Sequence, residues 1–137
     1  MFGPTAAAST PPGEFALVVE DDPAIGSLFR LLLSATVKHV VHVRTTAECM
    51  AWFAENAAAT KLVVMDCSLP DGHGSTLAHR LRTQRPGIPL LLTSGRAQPA
   101  VVKLLAADGP TLFLPKPFRP VDVAERAGAL LAAGVAA

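Results

Sequence analysis

The sequence predicts a doubly wound α/β fold, a parallel sheet of five strands with helices on both faces. Five short apolar runs alternate with segments of helical periodicity. The runs are apolar at nearly every position, not at every second one, as in strands covered on both faces. Polar and charged residues cluster directly after the runs, and that is the edge where open α/β sheets bind ligands.

The elements follow in order. Phe15–Val19 is an apolar run that ends in acids and reads as a buried strand. Asp22 then caps a helix with Pro23 at its first position. Ile25, Leu28, Phe29 and Leu32 line one face of that helix. Val40–Val43 is the second strand. Thr45 and Glu48 form a capping-box pair, and Met50, Phe53, Ala54 and Ala57 continue with helical spacing. Leu62–Met65 is the third strand and runs straight into Asp66. A Pro/Gly loop, Leu69–Gly74, leads to a helix through Leu77 and Leu81, with Arg80, Arg82 and Arg85 expected on its solvated side. Ile88–Leu92 is the fourth strand. Pro99 opens a helix through Val101, Leu104 and Leu105 that Gly109 stops. Leu112–Leu114 is the fifth strand, and Pro120 opens a last helix through Val121, Ala124 and Leu131. Residues 1–13, small residues with Pro and Gly, read as a disordered leader or linker. Residues 14–133 are the expected folded domain, and 134–137 a frayed end.

Composition narrows the function. In 137 residues there are 12 Lys plus Arg against 11 Asp plus Glu, a formal net charge of +1. That lacks the basic excess that phosphate backbones reward, so no direct nucleic-acid binding is expected. Half the residues are hydrophobic, which argues against disorder of the whole chain. No apolar stretch reaches the roughly 18–20 residues of a membrane span, and no signal peptide opens the chain. Cys49 and Cys67 make neither a disulfide framework nor a zinc site, and they read as buried, reduced thiols of a cytoplasmic protein.

Only 17% of residues are charged, so the placement of charge is informative. After the first strand come Glu20, Asp21 and Asp22; after the third, Asp66; after the fourth, Thr93, Ser94 and Gly95; after the fifth, Lys116 and Pro117. Carboxylates gathered at one sheet edge repel unless a cation joins them. Hard oxygen ligands suit Mg²⁺, or Mn²⁺. With a lysine and a hydroxyl opposite, the set suits a phosphoryl group, and a carboxylate there can act as nucleophile. Simpler roles compete. Asp22 reads first as a helix cap, Asp71–Gly72 as a turn, Thr93 as a strand-end residue and Lys116 as a surface lysine. Asp66 is harder to explain so, since it follows four apolar residues with no obvious capping role.

The segments Leu17-Val-Val-Glu-Asp-Asp-Pro23, Met65-Asp-Cys-Ser-Leu-Pro-Asp-Gly-His-Gly74, Leu92-Thr-Ser-Gly95 and Leu114-Pro-Lys-Pro-Phe118, in this order and spacing, resemble the receiver domain of two-component response regulators. The resemblance covers Phe15 to Leu131 and implies a flavodoxin-like strand order 2-1-3-4-5. It implies that Glu20 and Asp21 form the acidic pair and that Asp66 accepts phosphate. The metal ligands it implies are Glu20, Asp21, Asp66 and the carbonyl of Ser68. Ser94 takes the hydroxyl position in place of Thr93, Lys116 pairs with phosphoryl oxygens, and Phe113 is the aromatic switch. A cis Lys116–Pro117 bond also follows from it. Glu20 replaces a commoner aspartate, and Phe113 lacks a tyrosine hydroxyl. Ser68 and Arg96 fall where the family tunes acyl-phosphate lifetime. Pro115 stiffens the turn before Lys116, and His73 is expected to be an exposed loop residue.

The function so implied is phosphoryl transfer from a histidine kinase or histidine phosphotransfer domain onto Asp66. Mg²⁺ is the implied cofactor, and the only chemistry is self-phosphorylation and autodephosphorylation. The downstream partner would read the face of helix 4, strand 5 and helix 5. An aspartate-nucleophile phosphatase is a weaker reading, because that chemistry wants an acid where Ser68 stands. A receiver-like module that takes no phosphate is a third. No output domain is visible in these residues, and either a single-domain regulator or a receiver from a longer protein fits.

Overall fold

The computed structural model describes residues 15–136; the expected leader, 1–13, lies outside them. The sheet strands are β1 (Phe15–Val19), β2 (His39–Val43), β3 (Thr60–Asp66), β4 (Leu90–Ser94) and β5 (Thr111–Pro115). The helices are α1 (Pro23–Leu33), α2 (Thr46–Asn56), α3 (Gly74–Gln84), α4 (Pro99–Ala106) and α5 (Pro120–Ala136). The strands stand in the order β2-β1-β3-β4-β5 and every pairing is parallel. This is the predicted doubly wound order. The chain steps outward from β1 to β2, then crosses back to β3 and onward. With right-handed crossovers, that reversal puts α1 and α5 on one face and α2, α3 and α4 on the other.

Side-chain alternation divides the core in two. Leu17, Val19, Val63, Met65, Leu90 and Leu92 pack against Phe53, Leu77, Leu81 and Leu105. Ala16, Val18, Leu62, Val64, Leu91 and Leu114 pack against Phe29, Leu33, Val123, Ala127 and Leu130. This two-sided burial is why the strands read as unbroken apolar runs. Truncating a fully buried member such as Leu17 or Leu92 to Ala costs about 2–5 kcal/mol.

Local signals set the helix starts. Asp22 Oδ1 accepts from Ala24 N (2.9 Å) and Ile25 N (3.3 Å), with Pro23 at the first position of α1. Thr45 Oγ1 accepts from Glu48 N at 3.1 Å. A second cap on α2 comes from far away in sequence. The Asp71 carboxylate accepts from Thr46 N (2.8 Å) and Ala47 N (3.2 Å), which ties the loop after β3 to α2. Asp71 is thus more than a turn residue. Its loop carries a two-residue antiparallel ladder, Ser68–Leu69 with Gly72–His73, where the sequence suggested only a loop.

Two expectations need correction. The fourth strand begins at Leu90 and ends at Ser94, two residues later than predicted. Ladder pairing starts at Val63↔Leu90, and Ser94 pairs with Pro115, so Thr93 and Ser94 belong to the strand. The solvated arginine row holds for Arg80 but not for Arg82, which is only 6% exposed. Arg82 donates to Ile88 O (3.2 Å from Nε, 3.1 Å from Nη2), Pro110 O (2.7 Å), Thr111 Oγ1 (2.9 Å) and Leu105 O. Its acceptors, three carbonyls and the Thr111 hydroxyl, lie 6 to 29 residues later in the chain, which helical periodicity cannot reveal. Arg85, half-buried, donates to Ala57 O at 2.8 Å.

Candidate functional site: the carboxyl edge of the sheet

The site forms where the chain reverses direction across the sheet, between the ends of β1 and β3. Glu20 follows β1 and is 1% exposed; Asp66 ends β3. Lys116, after β5, reaches both: its Nζ lies 2.8 Å from Glu20 Oε1 and 3.1 Å from Asp66 Oδ2. Each carboxylate also takes a backbone N–H. Glu20 Oε2 accepts from Asp22 N at 3.2 Å, and Asp66 Oδ1 accepts from Ser68 N at 3.0 Å. Ser94 closes the edge on the β4 side. Its carbonyl accepts from Lys116 N at 2.8 Å and its hydroxyl from Arg96 N at 3.2 Å. The Lys116–Pro117 peptide is cis.

The start of α3 presses against this edge. Gly74 N donates to Cys67 O at 3.0 Å. A Cβ on Gly74 would lie 2.6 Å from Asp66 O and 2.8 Å from Cys67 Cα, so no larger residue fits there.

Burial pushes the Glu20 carboxyl above its usual range; Lys116 and the Asp22 N–H offset this only in part, and Asp66 adds to it. For Lys116, burial works against the charge, but its hydrogen bonds to Glu20 and Asp66 outweigh that and raise its pKa. Burial pushes the Cys67 thiol up to about 11 and the Cys49 thiol up to about 12, so both are protonated at neutral pH.

Glu20, Asp21 and Asp66 each offer an oxygen, all within 4.8 Å of one another. Three carboxylates face one ammonium there. Burial holds Glu20 reluctant to ionise, so a further positive charge has a reason to bind. The donors are hard oxygens and the site opens to solvent through Asp21, features that suit a small divalent cation retaining waters. The acidic cluster is therefore compatible with metal binding.

Two cavities flank the β4–α4 connection. One, about 390 Å³, is lined by Cys67 and Ser68 just after β3, and by His73, Ser75, Arg96 and Gln98 among others. The other, about 400 Å³ and mostly apolar, lies against Phe113, Pro99 and Val102.

Comparison with known proteins agrees with this geometry. The family model described as the response regulator receiver domain matches residues 16–127. The chain belongs to that family. Receiver domains are the phosphoacceptor modules of two-component signalling, and they interact with histidine kinases and with downstream effector domains. The receiver is 32% identical over 102 residues to the sensor kinase CckA of Brucella abortus, covering 74% of this chain and 11% of that protein. It is 32% identical over 116 residues to the probable transcriptional regulatory protein TcrX of Mycobacterium tuberculosis, covering 84% of this chain and 48% of that one. The chain therefore spans half or less of these relatives. A solved receiver domain from the hybrid histidine kinase CckA superposes with a TM-score of 0.71 at 28% identity, covering 85% of this chain and 98% of that one.

In this receiver Glu20, Asp66 and Lys116 are in direct contact, with Asp21 beside them and Ser94 and Ser68 on the adjoining backbone. Phe113 lies apart, half-buried against the cluster around Leu92 and Leu105. His73 is exposed, as expected, and lines the polar cavity. Sequence reasoning missed the residues that hold the acidic loop through its backbone. Glu20 O lies 2.7 Å from His42 Nε2, and Asp21 O accepts from Arg44 Nε at 3.1 Å. A polar residue on the apolar strand β2 was the one available signal for His42. Thr93 carries a buried hydroxyl with no partner among the described residues. Among the described residues no helix is long and apolar enough to cross a membrane.

Proposed function

We propose that Asp66 is the phosphoryl acceptor of this receiver and that Lys116, Ser94 and a Mg²⁺ ion held by Glu20, Asp21, Asp66 and the Ser68 carbonyl serve the transfer. The observation that carries this reading is the Lys116 ammonium bridging Glu20 and Asp66 at the carboxyl edge of the sheet. An Asp66 oxygen attacks phosphorus, the P–N bond to the partner's imidazole breaks, and an acyl phosphate forms. Lys116 passes from the Asp66 carboxylate to the new phosphoryl oxygens, and Ser94 donates its hydroxyl to them. A Mg²⁺ ion held there would neutralise phosphoryl charge. The donor is a histidine kinase or histidine phosphotransfer domain, and the protein works in the cytoplasm with residues 14–133 as its folding unit.

Phosphorylation adds roughly −1.5 to −2 charge at the edge. That charge draws Ser94 and its loop inward. Phe113, already against an apolar cavity, moves into the space vacated, as a packing change without a hydroxyl bond. The face of α4, β5 and α5 then presents a changed surface to the downstream protein.

Incubation with Mg²⁺ and a small phosphodonor tests this. The wild type should gain an acid-stable, hydroxylamine-labile phosphate and Asp66→Asn should not. Equal labelling of both, or none of the wild type, would overturn it. Steady turnover of a phosphomonoester would instead favour a phosphatase, which the hydroxyl of Ser68 in place of a general acid disfavours.

A further inference from the structure

The end of β2 grips the acidic loop. Glu20 N donates to Val43 O at 3.0 Å, and Arg44 Nε donates to Asp21 O at 3.1 Å. Between them His42 Nε2 lies 2.7 Å from Glu20 O. A carbonyl oxygen can only accept, so this nitrogen carries the proton. The imidazole has space because α1 has glycine beneath it. A Cβ on Gly26 would lie 2.0 Å from His42 Cε1 and 2.2 Å from Nε2. Glycine is a poor helix former, and Gly26 is not at positive φ, so neither propensity nor backbone geometry accounts for it. Clearance for the ring does.

We infer that His42 is a positioning residue for the cation site, acting through the Glu20 carbonyl, and that Gly26 provides the clearance it needs. The inference rests on the reading of Glu20, Asp21 and Asp66 as cation ligands. The peptide unit that carries the Glu20 carbonyl is planar and joins Glu20 to Asp21. Fixing its plane sets the relative positions of both Cα atoms and so narrows the directions in which both side chains leave the backbone. Mg²⁺ tolerates little deviation from octahedral geometry, so a loosened peptide plane costs affinity.

The test titrates Mg²⁺ into the wild type, His42→Ala, His42→Gln, Gly26→Ala and the Gly26→Ala/His42→Ala double variant. Backbone amide NMR shifts report binding, and thermal melting in EDTA reports stability separately. Losing one hydrogen bond predicts a Mg²⁺ Kd about three- to tenfold weaker for His42→Ala. Gln, whose amide can donate to the same carbonyl, should recover most of that. Gly26→Ala, which displaces the ring, should weaken binding about as much. The double variant should bind no worse than His42→Ala alone, and it should melt higher because the new methyl refills the space. Wild-type-like Kd in His42→Ala and Gly26→Ala, a Gln variant as weak as Ala, or additive losses in the double variant would overturn the inference while leaving the cation site intact. A wild type that binds no Mg²⁺ would overturn the site reading as well.

Discussion

Lys116→Met removes the ammonium between two carboxylates and keeps most of the side chain's length. In the native site Nζ lies 2.8 Å from Glu20 and 3.1 Å from Asp66, whose side chains are 2% and 8% exposed. The oxygens of Glu20, Asp21 and Asp66 are within 4.8 Å of one another. Two unit charges at that separation repel by about 3 kcal/mol at an effective dielectric of about 20. Removing one partner of a buried pair typically costs about 3–5 kcal/mol. Lys116 is 20% exposed and Glu20 can take up a proton, so the expected loss at pH 7 without divalent cation is about 2–3 kcal/mol. For a domain of this size that lowers Tm by about 6–15 °C.

The pH dependence follows from the shifts. The raised Lys116 pKa means that its stabilisation is fully present below 10.5, the unfolded value, and is lost only as pH rises through the folded value. It is therefore intact at pH 7 in the wild type. Glu20 also has a raised folded pKa, so the folded state holds its proton more tightly than the unfolded chain. Stability falls as pH rises above 4.5 through the folded value. Without Lys116 that window extends upward. Thermal melts by circular dichroism in EDTA should show a Lys116→Met deficit that is largest at pH 7 and shrinks at pH 5, and millimolar Mg²⁺ should recover part of it. A variant melting with the wild type at pH 7, or a deficit independent of pH and Mg²⁺, would refute the electrostatic account.

Three further outcomes are expected. Arg82→Met should lose about 3–5 kcal/mol in urea unfolding, because it strands several buried acceptors, and Arg82→Lys should recover only part of that. Thr93→Val should raise stability by about 1 kcal/mol in the same assay, since it replaces an unpartnered buried hydroxyl with a methyl of similar shape. Asp71→Ala should lower stability in the same assay by loss of its cap on α2, and hydrogen exchange should quicken at Thr46 and Ala47.

The sequence revealed most where a residue's role depends on near neighbours or on the sheet period. Asp22 and Thr45 cap the helices they precede. Glu20, Asp66, Ser94 and Lys116 fall at strand ends, so knowing that the strands are parallel is enough to bring them to one edge. Side chains with distant partners stayed hidden. Arg82 on α3 finds acceptors 6 to 29 residues later, and Asp71 reaches back 24 and 25 residues to α2. His42 has its acceptor 22 residues earlier. Charge alone made Arg82 look solvated. What reversed that was a set of backbone carbonyls whose meeting point exists only after the loops have closed.

Arg82 also ties down one end of α4. Its guanidinium holds Leu105 O near the carboxyl end of α4, together with Ile88 O and Pro110 O at the entrances to β4 and β5. The other end of α4, at Gln98 and Pro99, lies between the polar cavity lined by Cys67 and Ser68 and the apolar one against Phe113. The helix thus resembles a lever with its fulcrum pinned and its tip between two spaces. Eight residues make it about 12 Å long, so a tilt of about 10° about the pinned end carries the tip about 2 Å. Any tilt of α4 about that end would therefore displace residues near Pro99 more than those near Ala106.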